Sequence, residues 1–125
     1  MRRTGFRADV VQMIEARSSC QCEVMASGCE LVMATIHHRR PRGAGGSRRE
    51  DTNAACNGLA ICTHCHHKVE TQRAWARERG FIVSQWGDPN DVAVHWRSRI
   101  DSNGRNVFVF LDNQGGMIDE QVTRF

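Results

Sequence analysis

Residues 57–66, NGLAICTHCH, carry a short strand, a pair of cysteines and the start of a helix. The first part, GLAIC, is an apolar run of strand length. Cys62 and Cys65 then place two thiolates across a tight turn, a spacing that suits one tetrahedral Zn²⁺. No Gly or Pro follows before Gly80, so we expect a helix from about Cys65 to Arg79.

Two further cysteines can complete such a site. Cys22 and Cys29 flank one loop that leads into the next apolar segment, and we expect them to join Cys62 and Cys65 around a structural zinc ion. Cys20 offers an alternative to Cys22, and the interpretation of individual thiols as small buried hydrophobes stays open. A structural zinc contributes folding free energy on the order of 10 kcal/mol in small zinc-binding peptides.

The composition favours a phosphate-binding protein of a reducing compartment. The formal net charge is +3, and all but one of the 17 basic residues are arginine, whose planar fork suits bidentate phosphate contacts. The N-terminal residues lack the apolar core of a secretory signal, and no stretch approaches the ~20 apolar residues that span a bilayer. We therefore expect a cytoplasmic protein without a membrane partner, in which cysteines bind metal rather than form disulfides.

The rest of the chain predicts one α+β domain over residues 1–125, with a β-rich tail over 81–125. Thr63 is a candidate N-cap for the central helix. The three tryptophans, Trp75, Trp86 and Trp96, are expected in or at the edge of the core. The other predicted elements are an amphipathic helix at 5–17, strands at 30–38, 81–86 and 92–96, and a hairpin at 106–119.

A histidine pair, His37 and His38, ends the predicted strand and precedes the loop sequence RRPRGAGG. With Asn57 and His66 it forms the pattern HH-x18-N-x8-H. Together with the cysteine pairs and the glycine-containing loop, this order resembles the HNH endonuclease family, and in particular its small bacteriophage-type proteins. The resemblance covers residues 18–80, about half of the chain, and implies a zinc-stapled ββα-metal core.

The resemblance implies a role for each matching residue. His38 would be the general base that deprotonates the attacking water, and Asn57 would bond this imidazole and hold its orientation. His37 and His66 would be ligands of a catalytic divalent metal. Some family members, including the colicin nucleases, carry a third ligand one helical turn later, which here is Glu70. A carboxylate favours Mg²⁺ or Mn²⁺, with Zn²⁺ or Ni²⁺ as alternatives.

Physical reasoning supports the same chemistry. Hydrolysis of a phosphodiester needs an activated water, neutralised phosphate charge and help for the leaving oxygen, and one divalent ion can supply the last two. A neutral imidazole can supply the first near pH 7. Arginines near the histidine pair would attract a polyanion, and we expect phosphate contacts from Arg39, Arg40, Arg42, Arg48 and Arg49.

The resemblance thus implies a metal-dependent endonuclease that hydrolyses double-stranded DNA and leaves 5′-phosphate and 3′-hydroxyl ends. A role beside the terminase subunits in phage genome packaging, in the cytoplasm of a bacterial host, follows by analogy alone. The alternative is a non-catalytic, zinc-stabilised DNA-binding or packaging-accessory module, which would have no use for His38 or Asn57.

Overall fold

A computed structural model of the protein describes residues 5–41 and 50–121. In these residues the fold is α+β, as the sequence predicts, with three α-helices and two small antiparallel sheets. No helix in these two ranges is long and apolar enough to cross a membrane. The elements in chain order are α1 (Ala8–Ser18), β1 (Thr35–His38), β2 (Gly58–Ile61), α2 (Thr63–Thr71), α3 (Arg73–Glu78), β3 (Val94–Ile100), β4 (Asn106–Leu111) and β5 (Met117–Asp119).

Strands β1 and β2 form an antiparallel pair that leads directly into α2. The register places His38 opposite Gly58 at one end of the pair. Both strands confirm the predicted apolar runs, although β1 is shorter than the 30–38 segment that the alternation favours. A β-carbon at Gly58 would lie 2.7 Å from the Cδ1 of Ile14, so glycine is what lets α1 pack closely over β2.

Helix α2 begins at the cysteine pair, and its N-cap is Cys62 rather than the expected Thr63. The Cys62 sulfur accepts a hydrogen bond from the backbone N–H of Cys65, with the two atoms 3.3 Å apart. This sulfur satisfies one of the backbone donors that a helix start leaves without an intrahelical partner. The first turn of α2 is therefore organised around the thiol.

The predicted helix at 65–79 is two helices, because the backbone leaves helical geometry at Gln72 (φ −116°, ψ 63°). The hydroxyl of Thr71 donates to the carbonyl of His67, 2.9 Å away, just before this break. Such a local side-chain bond competes with the helical ladder and bends helices. The break separates α2 from α3 at Gln72.

The predicted strand at 81–86 is wrong. Phe81, Ile82 and Val83 are buried but irregular in backbone, and Phe81 and Ile82 belong to the core cluster that also contains residues of β2 and α2. The backbone N–H of Val83 donates to the carbonyl of Arg39 at 2.8 Å. This apolar run therefore serves the core and the end of β1.

The C-terminal sheet is a three-stranded meander in the order β3-β4-β5, and its last hairpin confirms the prediction at 106–119. A register shift interrupts β3 between His95 and Ile100. Trp96 is buried as expected, and Trp75 packs at the edge of the core. The prediction for Trp86 is wrong, since this residue is 91% exposed.

Helix α1 is tied to β2 by a buried ion pair. The guanidinium of Arg17 donates to both carboxylate oxygens of Glu23 at 2.7 and 2.8 Å, and both side chains are almost fully buried. Arg17 also donates to the carbonyls of Ala55 and Gly58, and Glu23 accepts from the backbone N–H of Ala60. The remaining polar atoms of the pair are thereby hydrogen-bonded, as burial of charge requires.

Candidate functional site

Four cysteines converge where the N-terminal loop meets the first turn of α2. The sulfur atoms of Cys22, Cys29, Cys62 and Cys65 all lie within 4.8 Å of one another. Those of Cys29 and Cys62 are 3.7 Å apart, close to the ~3.8 Å edge of a tetrahedron with Zn–S bonds of about 2.3 Å. The four could hold a structural zinc ion. Cys20, the alternative to Cys22, is exposed and outside this cluster.

Backbone amides and burial act in opposite directions on these thiols. Burial raises the pKa of Cys29 to about 11 and also raises that of Cys65, because a thiolate loses its hydration. Burial pushes the pKa of Cys62 in the same direction, but hydrogen bonds from the N–H groups of Glu30 and Cys65 outweigh it and lower that pKa. A bound cation is what would hold all four groups as thiolates.

Removing one clustered sulfur should release zinc. We expect about one zinc ion per chain in the wild type, none in Cys65→Ser, and a thermal midpoint for Cys65→Ser well below that of the wild type. Cys20→Ser is the matched control, because its sulfur lies outside the cluster. Metal analysis of the purified proteins and thermal melting test this. Equal zinc content in the two variants would contradict it.

Three further potential ligands meet between β1 and α2. The Nδ1 of His37 and the Nε2 of His66 lie 3.8 and 3.6 Å from the Oε1 of Glu70. These separations exceed a hydrogen bond and approach the ~3.3 Å between nitrogen and oxygen ligands of one tetrahedral ion. His66 and Glu70 share a face of α2 because they are four residues apart. This group could hold a metal ion.

The orientation of His37 is set by the segment that follows α3. Its Nε2 lies 2.8 Å from the carbonyl oxygen of Phe81, which can only accept, so Nε2 carries the proton and donates. The Nδ1 lone pair then faces Glu70. Burial lowers the pKa of His37 to about 4, so the ring is neutral near pH 7. A neutral ring with a hydrogen-bonded second nitrogen is the usual state of a histidine ligand.

His38 follows at the end of β1, where Phe6 and Asn53 contact its ring. Its ring stacks on Phe6, with centroids 4.3 Å apart and planes 19° from parallel. Its Nε2 lies 2.8 Å from the Oδ1 of Asn53, so in the neutral ring Nε2–H donates to the amide oxygen. This bond assigns the lone pair of the neutral imidazole to Nδ1.

Asn57 has different hydrogen-bond partners from the one that the resemblance implies. Its Oδ1 accepts from the backbone N–H of Arg40 at 2.7 Å, and its Nδ2 donates to the carbonyls of Arg40 and Thr52. The buried amide thus ties the turn after β1 to the segment before β2, and the imidazole of His38 is bonded by Asn53, four residues earlier. Asn57 therefore shapes the loop, and the expectation that it bonds the imidazole of His38 is wrong.

Two of the arginines expected at phosphates are interior residues. Arg39 is 0% exposed and donates to the carbonyls of four residues, Cys56, Gly80, Pro89 and Val92. Arg40 is 2% exposed and forms a bidentate pair with Asp51. The burial of their guanidiniums makes them structural residues instead of phosphate contacts. Arg42, Arg48 and Arg49 lie outside the described residues.

An open cleft brings the histidines together. It has a volume of about 360 Å³, and its lining includes His37, His38, His66, Glu70 and Arg73. The candidate base and the three potential ligands therefore face one space that is accessible from solvent.

Comparison of the chain with models of known families, with curated proteins and with solved structures finds no match. The resemblance to HNH endonucleases therefore rests on the motif residues alone.

Sequence reasoning missed two polar residues at the candidate site. Asn53 lies in the segment EDTNAACN, in which the motif spacing picked out only Asn57. Arg73 is three residues after Glu70, a spacing that puts both side chains on one helix face, so this spacing was a signal that could have found it. It lines the cleft although the backbone leaves helical geometry at Gln72. A Thr-Gln pair inside a helical run is a weak signal for such a break, and no signal in the pattern singled out Asn53.

Loss of the carboxylate at the histidine centre should weaken binding of a divalent ion. Glu70→Gln removes the charge that hard cations prefer, so we expect its Mn²⁺ affinity to fall by about tenfold or more with zinc content unchanged. Calorimetric titration with Mn²⁺ measures this. Glu78→Gln, on the exposed surface of α3, is the matched control and should bind as the wild type does. Equal affinity in both variants would rule out Glu70 as a ligand.

Proposed function

We propose that the protein is a metal-dependent endonuclease of the HNH type that hydrolyses phosphodiester bonds in DNA. The observation that carries the proposal is that His38 lines the same cleft as His37, His66 and Glu70. A base and a set of metal ligands facing one open space is the arrangement that hydrolysis of a phosphodiester needs. The order of an antiparallel strand pair followed by a helix that carries the ligands also supports it.

In this proposal His38 takes the proton from the attacking water. The bond from Nε2–H to Asn53 leaves Nδ1 of the neutral ring to act as the base, and the stack on Phe6 limits rotation of the ring. A base that is held in one tautomer and one orientation loses less free energy to misalignment when the proton is transferred. Asn53 and Phe6 are thus positioning residues.

His37, His66 and Glu70 would hold the divalent ion, which when bound supplies charge neutralisation at the phosphate and at the leaving oxygen. Because burial keeps His37 neutral and the Phe81 carbonyl holds Nε2–H, the Nδ1 of this ligand needs no rearrangement to bind. The carboxylate of Glu70 adds a negative charge to the set, which favours Mg²⁺ or Mn²⁺.

The substrate and products follow from the resemblance. Double-stranded DNA, 5′-phosphate and 3′-hydroxyl ends, and a structural zinc at the four cysteines are proposed on that basis. A place beside the phage terminase in the bacterial cytoplasm is proposed by analogy.

The cleavage test uses supercoiled plasmid with Mg²⁺ or Mn²⁺. Wild-type protein should nick or linearise the plasmid, and His38→Ala should lose about 10²–10⁴ of the rate, the range that a positioned base contributes. Both proteins are first shown to be folded and to carry equal zinc. DNA binding without cleavage in any divalent ion would favour the non-catalytic DNA-binding module. Equal cleavage by both proteins would exclude His38 as the base.

Asn53 gives a separate test of base positioning. Asn53→Ala should lower kcat by about 10- to 100-fold, a part of what the base itself contributes, with KM and Mn²⁺ affinity near those of the wild type. Asn53→Asp keeps an acceptor oxygen and should recover most of kcat. Asn103→Ala, in the exposed turn before β4, is the control. Steady-state cleavage of a short duplex measures these values, and an unchanged kcat in Asn53→Ala would remove this residue from the mechanism.

A further inference from the structure

A second open cavity adjoins the histidine cleft. It has a volume of about 550 Å³ and is lined by Pro41, Arg73, Arg77 and residues 82–85. Pro41 and Arg73 also line the histidine cleft. The two cavities therefore adjoin at Pro41 and Arg73, and we call the second cavity the α3 groove.

Among the described residues that line the α3 groove, the charged ones are two arginines. Arg73 and Arg77 are four residues apart on α3, so they lie on one face of that helix, and both are exposed. Arg73 stands at the junction, with its Nη1 3.5 Å from the Oε2 of Glu70 in the histidine cleft. The positive charge expected near the histidines, which Arg39 and Arg40 do not offer, is thus present on α3.

The rest of the groove suits a sugar-phosphate backbone. Ile82 and Val83 form a buried floor, and Ser84 and Gln85 form an exposed polar rim. Hydroxyl and amide groups of this kind commonly bond phosphate and sugar oxygens. The next residue is Trp86, whose exposed indole is the kind of surface on which nucleic-acid bases stack.

The spacing of Arg73 and Arg77 along α3 also allows contacts with more than one phosphate. Four residues of helix rise by about 6 Å, whereas phosphates of one strand of B-DNA advance by about 3.4 Å along the duplex axis. The two guanidiniums can therefore meet different phosphates of the same strand.

We propose that the α3 groove binds the DNA backbone on one side of the phosphate that is cut, with Arg77 contacting a neighbouring phosphate and Arg73 bridging the groove and the histidine cleft. The inference rests on the proposed function, because it takes the histidine cleft as the position of the reacting phosphate. Arginine forks and a polar rim select a phosphate backbone over an uncharged ligand.

The experiment measures binding of a fluorescein-labelled DNA duplex at several salt concentrations, without added divalent metal, in a His38→Ala background that keeps the duplex intact. Arg77→Gln should weaken binding by about threefold to tenfold and reduce the slope of log K against log[salt] by about 0.9, the loss of one phosphate contact. Arg105→Gln removes the same charge from the exposed turn before β4 and should keep the slope of the His38→Ala protein.

Arg77→Gln is preferred to Arg73→Gln because Arg73 also contacts Glu70. Equal zinc content and thermal stability in the variants exclude a folding defect. Three results would contradict DNA binding at the α3 groove: an unchanged salt slope in Arg77→Gln, an equal loss of slope in Arg105→Gln, or no binding of the duplex at low salt.

The two proposals fail separately. If the wild-type protein cuts plasmid and Arg77→Gln leaves DNA binding unchanged, the proposed role of the groove is wrong and the proposed nuclease activity stands. If the wild-type protein does not cut DNA with any divalent ion but its DNA binding depends on Arg77, the proposed nuclease activity is wrong and the groove stands as a DNA-binding surface.

Discussion

The position of the first turn of α2 against the N-terminal loop is the constraint on which the rest of the structure depends. Cys62 and Cys65 lie in this turn, and His66 follows directly. Any shift of the turn would move His66 and Glu70 relative to His37 on β1. The β1–β2 pair is only two-stranded, and such a pair is marginal by itself in water. A zinc ion at the four cysteines would fix the turn where the small sheet alone would not.

The C-terminal half of the chain helps to position the candidate ligand His37 through buried polar contacts. Arg39 directly follows β1, and its guanidinium donates hydrogen bonds to the carbonyls of Gly80, Pro89 and Val92. The next carbonyl after Gly80, that of Phe81, orients His37. Because a buried guanidinium is costly unless its donors are satisfied, these bonds specify where the segment after α3 must lie. The orientation of a candidate ligand on β1 is thus set by residues more than 40 positions later.

Much of the candidate site could be predicted because its spacings are local. The Cys62–Cys65 turn and the pairing of His66 with Glu70 are consequences of backbone geometry within one helix. The partner of His38 was different, because the sequence pointed only to Asn57, and both Asn53 and Asn57 precede β2. The short helical turn Glu50–Asn53 directs Asn53 to His38, while Asn57 enters the interior and bonds Arg40 and Thr52. Spacing in the sequence carries no information about that turn.

The sequence by itself determined the α+β class, the strand pair that leads into a helix, and the residues that gather as two groups of potential ligands. The class and the strand pair follow from apolar patterning and short-range spacing, which the backbone converts into structure locally. The two ligand groups join residues far apart in the chain, and the histidine group was expected from the family resemblance. Only the tertiary structure decided which arginines are available to a ligand. Arg39 and Arg73 are alike in the sequence, but Arg39 meets the carbonyl of Val92, 53 residues away, and is buried, whereas Arg73 lies beyond the break in the helix and stays exposed. Burial depends on which distant segments pack around a side chain, and no local pattern encodes that.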